Sequence, residues 1–210
     1  MENAERLKTT EMASDAEKIK IFGKLYKSMT SGIKNGKAIL PRKWLSDRKL
    51  TMENSGACFN SGQIHHRKEQ TFKDELLSIG FLKISNVPTN NGQIPYTIFG
   101  KYAICFPLKN EKQEIINFYS IGIEKGQTAY LNEEGIYPKY PEITTRRLYI
   151  VPSLLEAATL LEIRLLKENE SVMALFNGEF KTQHYSAIEK LKELKEIILV
   201  ERKEKELNNI

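Results

Sequence analysis

The chain has 210 residues, 40% hydrophobic and 28% charged, with a formal net charge of +5. This balance fits one globular domain or two small ones. It excludes a membrane span, since no apolar run approaches ~20 residues, and a disulfide scaffold, since Cys58 and Cys105 stand far apart and alone. The charge is unevenly spread: residues 1–50 hold 12 Lys/Arg against 6 Asp/Glu, whereas residues 51–210 hold 20 against 21.

The polar start "MENAERLKTTEMASDAEK" has no apolar signal segment, which points to a cytoplasmic location. Residues 1–14 are expected to fray. Ser14 or Asp15 then caps a helix running to about Met29, with Ile19, Phe22, Leu25 and Tyr26 on one face. "TSGIKNGK" (30–37) reads as a loop because of its two glycines. "PRKWLSDRK" (41–49) predicts a short helix with Pro41 in its first turn and Trp44 and Leu45 inward. "NSGACFNSGQIHHRK" (54–68) is loop-like, with one short strand. "TFKDELLSIGFL" (71–82) is a helix stopped by Gly80, and residues 87–96 form a loop or hairpin tip. "KYAICFPL" (101–108) and "EIINFYSIGI" (114–123) flank the polar "KNEK", the pattern of a β-hairpin with Cys105 buried. "TAYLN" (128–132) is a third strand, and the prolines of "EGIYPKYPEI" (134–143) make it an irregular linker. From residue 147 the rhythm changes. Strands at 148–151, 172–176 and 197–200 alternate with helices at about 153–168 and 182–195, which argues for a parallel sheet with right-handed crossovers.

Few motifs carry chemistry. There is no Walker loop and no G-x-G-x-x-G. His65 and His66 are adjacent; in an extended segment their side chains would point to opposite faces, so they are not expected to share a metal. Basic residues interleave with aromatics at Arg42, Lys43, Arg48 and Lys49 around Trp44, and at Lys101 beside Tyr102. Cations with a ring available for stacking suit single-stranded nucleic acid; the same cations also fit a solvated face. Arg42, Lys43, Arg48, Lys101 and Lys109 are the candidate phosphate contacts, as generic cations and not base readers. Ser153-Leu154-Leu155-Glu156, at the end of a predicted strand, is a capping box that accounts for both polar residues without catalysis.

Residues ~38–200 resemble the catalytic core of bacterial DnaG-type primases, and among these the primase-like proteins carried on mobile elements of Bacteroides-type bacteria. The resemblance lies in the order of pieces. "WLSDRKLTMENSGACFNSGQIHH" is similar to the family's helix and "GqfHH" turn, and "KYAICFPLKNEKQEIINFYSIGI" to the hairpin of its basic subdomain. "AYLNEEGIYPKYP" is similar to the connector, and "LYIVPSLLEAATLL", "VMALFNGEFKTQHYSAIEKL" and "KEIIL" to successive units of a Toprim fold.

The resemblance implies an α+β N-terminal part of helices and a β-hairpin, followed by a truncated α/β Toprim-like parallel sheet. It divides the chain into an N-terminal helix and arm (1–37), a basic α+β subdomain (38–143) and a Toprim-like subdomain (144–210). The Toprim pattern places a Glu, then Gly, then Asp after its first strand, and an Asp-x-Asp after its third. Here the first set reads Pro152, Ser153 and Glu156, and the second falls in Glu201-Arg202-Lys203-Glu204. The family's hairpin arginine falls at Ile121, and no zinc-binding domain is expected ahead of the core. Mg²⁺ prefers oxygen ligands and carboxylates, so Glu156 and Glu201 are the only metal candidates and Glu156 the only catalytic one. The expectation is a primase-related protein serving replication of a mobile element. It binds single-stranded DNA or RNA, is catalytically impaired, needs no cofactor, and has a helicase or replication protein as a further partner and no membrane. Two alternatives stand beside it: an active Mg²⁺-dependent primase completed by another chain, and a non-catalytic protein-interaction module.

Overall fold

A computed structural model describes residues 13–66, 68–85, 95–163 and 166–200. Residues 1–12 of the start expected to fray (1–14), most of the 87–96 loop and Glu201 lie outside the described residues.

Helix α1 (Asp15–Lys34) opens with a full capping box: Ser14 Oγ accepts from the Glu17 amide, and the Glu17 carboxylate accepts from the Ser14 amide at 2.8 Å. It buries Ile21, Phe22, Leu25, Met29 and Ile33. It runs through Gly32, one turn past the predicted stop. Glycine disfavours a helix interior, but Ile33 is fully buried, and a Cβ on Gly32 would sit 3.5 Å from the Phe59 carbonyl oxygen. The small residue permits close approach there instead of ending the helix. α2 (Ile39–Asp47) buries Pro41, Trp44 and Leu45 as predicted. A short α3 (Met52–Ser55) and β1 (Cys58–Asn60) follow. α4 (Gln70–Ser78) is followed by Gly80 at φ +74, the left-handed position that favours glycine.

Leu82–Ile84 (β2) pairs with Tyr96–Ile98 (β3) in a small antiparallel hairpin. The predicted central hairpin is β4 (Ala103–Lys109) and β5 (Ile115–Gly122), antiparallel over seven residue pairs. Its turn is organised by Asn110, whose Oδ1 accepts from the Lys112 and Glu114 amides. β6 (Thr128–Tyr130) completes a four-stranded sheet in the order β1-β4-β5-β6.

Both faces of that sheet are covered, which is why β4 reads as an unbroken apolar run and not as an alternation. The period of two still sorts its side chains. Cys105 and Phe118 face α1 and α4 in one core with Leu25, Leu76 and Phe81. Ile104, Phe106, Leu108, Tyr119 and Ile121 face a second core with Trp44, Val151, Leu154, Ala157 and Phe176.

The C-terminal part is a three-stranded parallel sheet, β8 (Glu170–Ala174), β7 (Arg147–Val151) and β9 (Glu196–Leu199), with β7 central. α5 (Leu154–Glu162) packs into the shared second core, and α6 (Thr182–Glu189) closes the opposite face with Leu148, Ile150, Met173 and Leu191. Both helices are shorter than their apolar spacing predicts. At the N-terminal ends of the strands Arg147 bridges Glu170 on β8 at 2.7 Å and Glu196 on β9 at 2.6 Å, one cation clamping three neighbouring strands.

The segment predicted as a linker is part of the joint between the two sheets. Ile136 and Tyr137 are buried, Ile136 pairs with Lys109 and Tyr137 with Ala174, and the Tyr137 hydroxyl donates to the Ser55 carbonyl at 2.8 Å. The prolines break regular pairing, yet the residues just ahead of them are apolar enough to be taken into the core.

Candidate nucleic-acid interface and the carboxyl edge of the parallel sheet

The carboxyl edge of a parallel sheet meets the N-termini of its helices, so amide hydrogens and helix dipoles converge there. In this protein β7 ends at Val151 and leads into Pro152 and the Ser153 cap of α5. Ser153 Oγ accepts from the Glu156 amide at 3.4 Å and donates to Glu156 Oε2 at 2.9 Å. The predicted cap therefore forms, with the carboxylate engaged by the serine hydroxyl. The Pro152 carbonyl accepts from the Gly178 amide at 2.8 Å, which ties this turn to the one after β8. Among the described residues no group of three or more His, Cys, Asp or Glu side chains is placed to hold a metal ion. Among the described residues at this edge, Pro152 carries no carboxylate and Glu156 Oε2 accepts from the hydroxyl of its own cap.

The edge does carry an aromatic cleft of about 320 Å³ between β6 and the turn after β8, lined by Tyr130, Asn132, Phe176, Asn177 and Lys181 among others. Tyr130 and Phe176 stack at 4.2 Å between ring centroids, with Tyr119 4.6 Å from Tyr130. Burial, and then the neighbouring Tyr119, push the Tyr130 phenol well above its ordinary range. Beneath Phe176 lies His184, fully buried, with Nδ1 accepting from the Lys181 amide at 2.8 Å. No sequence motif marks this cleft. Its nearest sequence signal is the Asn177-Gly178 turn between apolar residues, which marks the turn but not what packs against it.

The five predicted cations do not form one patch. The Arg42 guanidinium donates to the carbonyls of Asn35 at 2.7 Å and Gly36 at 3.1 Å, and closes the carboxyl end of α1. Lys43 pairs with Asp47 at 3.0 Å, and the Arg48 guanidinium lies 3.8 Å from the centre of the Trp44 ring. Lys101 lies in the turn before β4 and Lys109 ends that strand, whose own length is roughly 20 Å at the rise of an extended chain. Lys109 lines a cavity of about 470 Å³ together with Lys139 and Pro138. An ordered row of cations lies elsewhere: Lys20, Lys24, Lys27 and Lys34 are all exposed at helical spacing on α1, with Lys24 paired to Glu75 at 2.9 Å. Taking residues 30–37 as a loop concealed the end of that row.

His65 and His66 also differ from expectation. The backbone at 64–66 turns instead of extending, so the two rings lie on the same side with centroids 4.3 Å apart. Cys58 and Cys105 are directly opposed on β1 and β4, both free and fully buried. Burial drives both thiols up, Cys105 to about 12.

This α+β half, fused through a common core to a parallel sheet of order 2-1-3, gives the chain a DnaG-type primase-like fold. No family model and no curated protein matches its sequence. The fold is similar to that of the DnaG primase catalytic domain solved bound to ssDNA: TM-score 0.67, 14% identity, covering 88% of this chain and 62% of that one. It is similar also to a DNA primase domain from Pseudomonas aeruginosa, with TM-score 0.69, 14% identity and coverage of 87% and 60%. A third likeness is to the RNA polymerase domain of Mycobacterium tuberculosis DnaG in complex with double-stranded DNA, with TM-score 0.66, 11% identity and coverage of 92% and 66%. The chain thus spans 60–66% of the length of these structures. Among the described residues no helix is long and apolar enough to cross a membrane.

Proposed function

We propose that this protein is a primase-related factor that binds single-stranded nucleic acid without synthesising primers, and that it serves the replication of a mobile element. One observation carries the catalytic part. The strand end where the Toprim pattern puts its glutamate is occupied by Pro152, and the nearest acid, Glu156, serves a helix cap. Phosphoryl transfer depends on cations that neutralise charge developing at the phosphate, and a proline ring offers such a cation nothing. Support for binding comes from the α1 lysine row, from Lys101 and Lys109, and from neighbours of the same fold that were crystallised with DNA. The mobile-element role rests on the order of the sequence motifs alone.

Two measurements test this reading. Ribonucleotide incorporation on a single-stranded template with Mg²⁺ is expected to stay at the level of an enzyme-free control; clear primer synthesis by this chain alone would sink the catalytic claim. Fluorescence anisotropy with a labelled single-stranded oligonucleotide is expected to show binding that weakens steeply with salt, since released counterions drive phosphate contact.

A second reading has an observation of its own. β9 pairs only with β7 among the described strands, and its Ile197 and Leu199 are 44% and 62% exposed. An open apolar edge of this kind accepts a further strand, which suits a second chain that brings the acids this edge lacks. Amides of Ile197 and Leu199, which alternate with those already bonded to β7, would then exchange fast in the isolated protein and become protected when that chain is added. Protection already complete in the isolated protein removes this reading.

A further inference from the structure

The corner where the 61–66 loop meets β3 and the start of β4 brings Lys73 and Lys101 beside the His65–His66 pair. Asn60, itself buried, fixes the loop: its Nδ2 donates to the Phe99 carbonyl at 2.7 Å and its Oδ1 accepts from the Gly62 amide at 2.9 Å. Gly62 sits at φ +79, and a Cβ there would come within 2.6 Å of Lys101 Cγ, so the glycine lets the lysine stem lie flat across the loop. The His65 ring stacks on His66 and meets the edge of Tyr96 at 6.0 Å, and Lys73 Nζ lies 5.9 Å from the Tyr96 ring. His65 is 9% exposed, and its buried Nδ1 has no hydrogen-bond partner among the described residues. Burial first, and then His66, Lys73 and Lys101, hold the His65 imidazole below its ordinary range.

Lys73 and Lys101 stand close enough to the imidazole to disfavour its protonated form, and an anion among these groups relieves that repulsion. We propose that His65, His66, Lys73 and Lys101, around the Tyr96 ring, form a subsite for a backbone phosphate of single-stranded nucleic acid. This rests on the nucleic-acid reading above and adds to it the place of contact. Lysine and imidazolium reach a phosphodiester as point donors from several sides, without the planar fork that base readout demands. An adjacent base then finds the Tyr96 ring within stacking distance.

The test compares wild type, the double variant Lys73→Gln/Lys101→Gln and the control Lys192→Gln/Lys195→Gln, in the turn between α6 and β9. Anisotropy is read with a labelled oligothymidylate across a range of salt. Glutamine keeps the stem that covers Gly62, and circular dichroism checks the fold of each variant. The corner variant is expected to bind about tenfold or more weakly at low salt, with its salt slope reduced by about 1.4, roughly 0.7 for each lost contact to a single strand. The control should match wild type. In addition, NMR titration of wild type should show the depressed His65 pKa rising when oligonucleotide is bound, which a purely structural histidine would not do. If wild type binds and the corner variant binds equally well with the same slope, the subsite is wrong and the wider reading survives. If wild type fails to bind at all, both fall.

Discussion

His184 shows how a single residue links packing to pH. It is fully buried, and burial holds its pKa at about 4 instead of the ordinary 6.5. Between those values the unfolded chain takes up a proton that the folded one refuses. The stability this group contributes is therefore complete above pH 6.5 and is lost as pH falls toward 4. The span corresponds to roughly 3 kcal/mol at about 1.4 kcal/mol per pH unit. Urea unfolding at pH 7.0 and pH 4.5 should show most of that loss in wild type and a much flatter response in His184→Gln. The buried thiols act on the same scale. With Cys58 and Cys105 inaccessible and their thiolates disfavoured by burial, an aromatic disulfide reagent should label neither until the protein unfolds; rapid labelling of either in the native state would contradict the β1–β4 packing. The burial of Cys105 was legible from its apolar neighbours. That Cys58 faces it was not, because register between strands separated by more than 40 residues is written in no local pattern.

At the scale of elements, the contacts that fix geometry join residues distant in sequence. Glu162, at the end of α5, accepts from the Thr51 hydroxyl at 2.8 Å and from Asn54 Nδ2 at 2.9 Å, and so binds α5 to the first turn of α3. Tyr137 reaches the Ser55 carbonyl from the segment between the sheets. Tyr137→Phe removes the hydroxyl and leaves a buried carbonyl unmet, a loss of about 1–3 kcal/mol that chemical denaturation will measure. A change below experimental error would mean that the hydroxyl does not bind there. Sequence periodicity located the long helices, the central hairpin and the parallel strands, because a period of 3.6 or 2 is a local property; α3, β2 and β3, three or four residues each, are too short to show one. It placed Ser14 and Ser153 as caps for the same reason. It misplaced the end of α1, where Gly32 packs against β1, and the 134–143 segment, where two prolines concealed a buried pair.

For the whole molecule, the shared core decides how it unfolds. Trp44 and Phe106 from the N-terminal half sit in one apolar cluster with Val151, Leu154 and Phe176 from the parallel sheet. Neither half covers that surface alone, so unfolding should be one cooperative step. Trp44 fluorescence, reporting the first half, and far-UV circular dichroism, reporting both, are expected to give coincident denaturation curves; two separated transitions would show that the halves are independent. The same joint brings β6 against the turn after β8 and so creates the aromatic cleft.

The sequence by itself determined the two-part order of elements, the parallel sheet at the end, the caps, and the identity of the residue that closes β7. All of these depend on neighbours a few positions away. Only the tertiary structure decided that Arg42 closes a helix, that the two histidines stack in a turn beside Lys73 and Lys101, and that Tyr130 meets Phe176. Those relations join chain segments whose separation leaves no periodic trace, and they exist only once burial of the common core has brought the segments together.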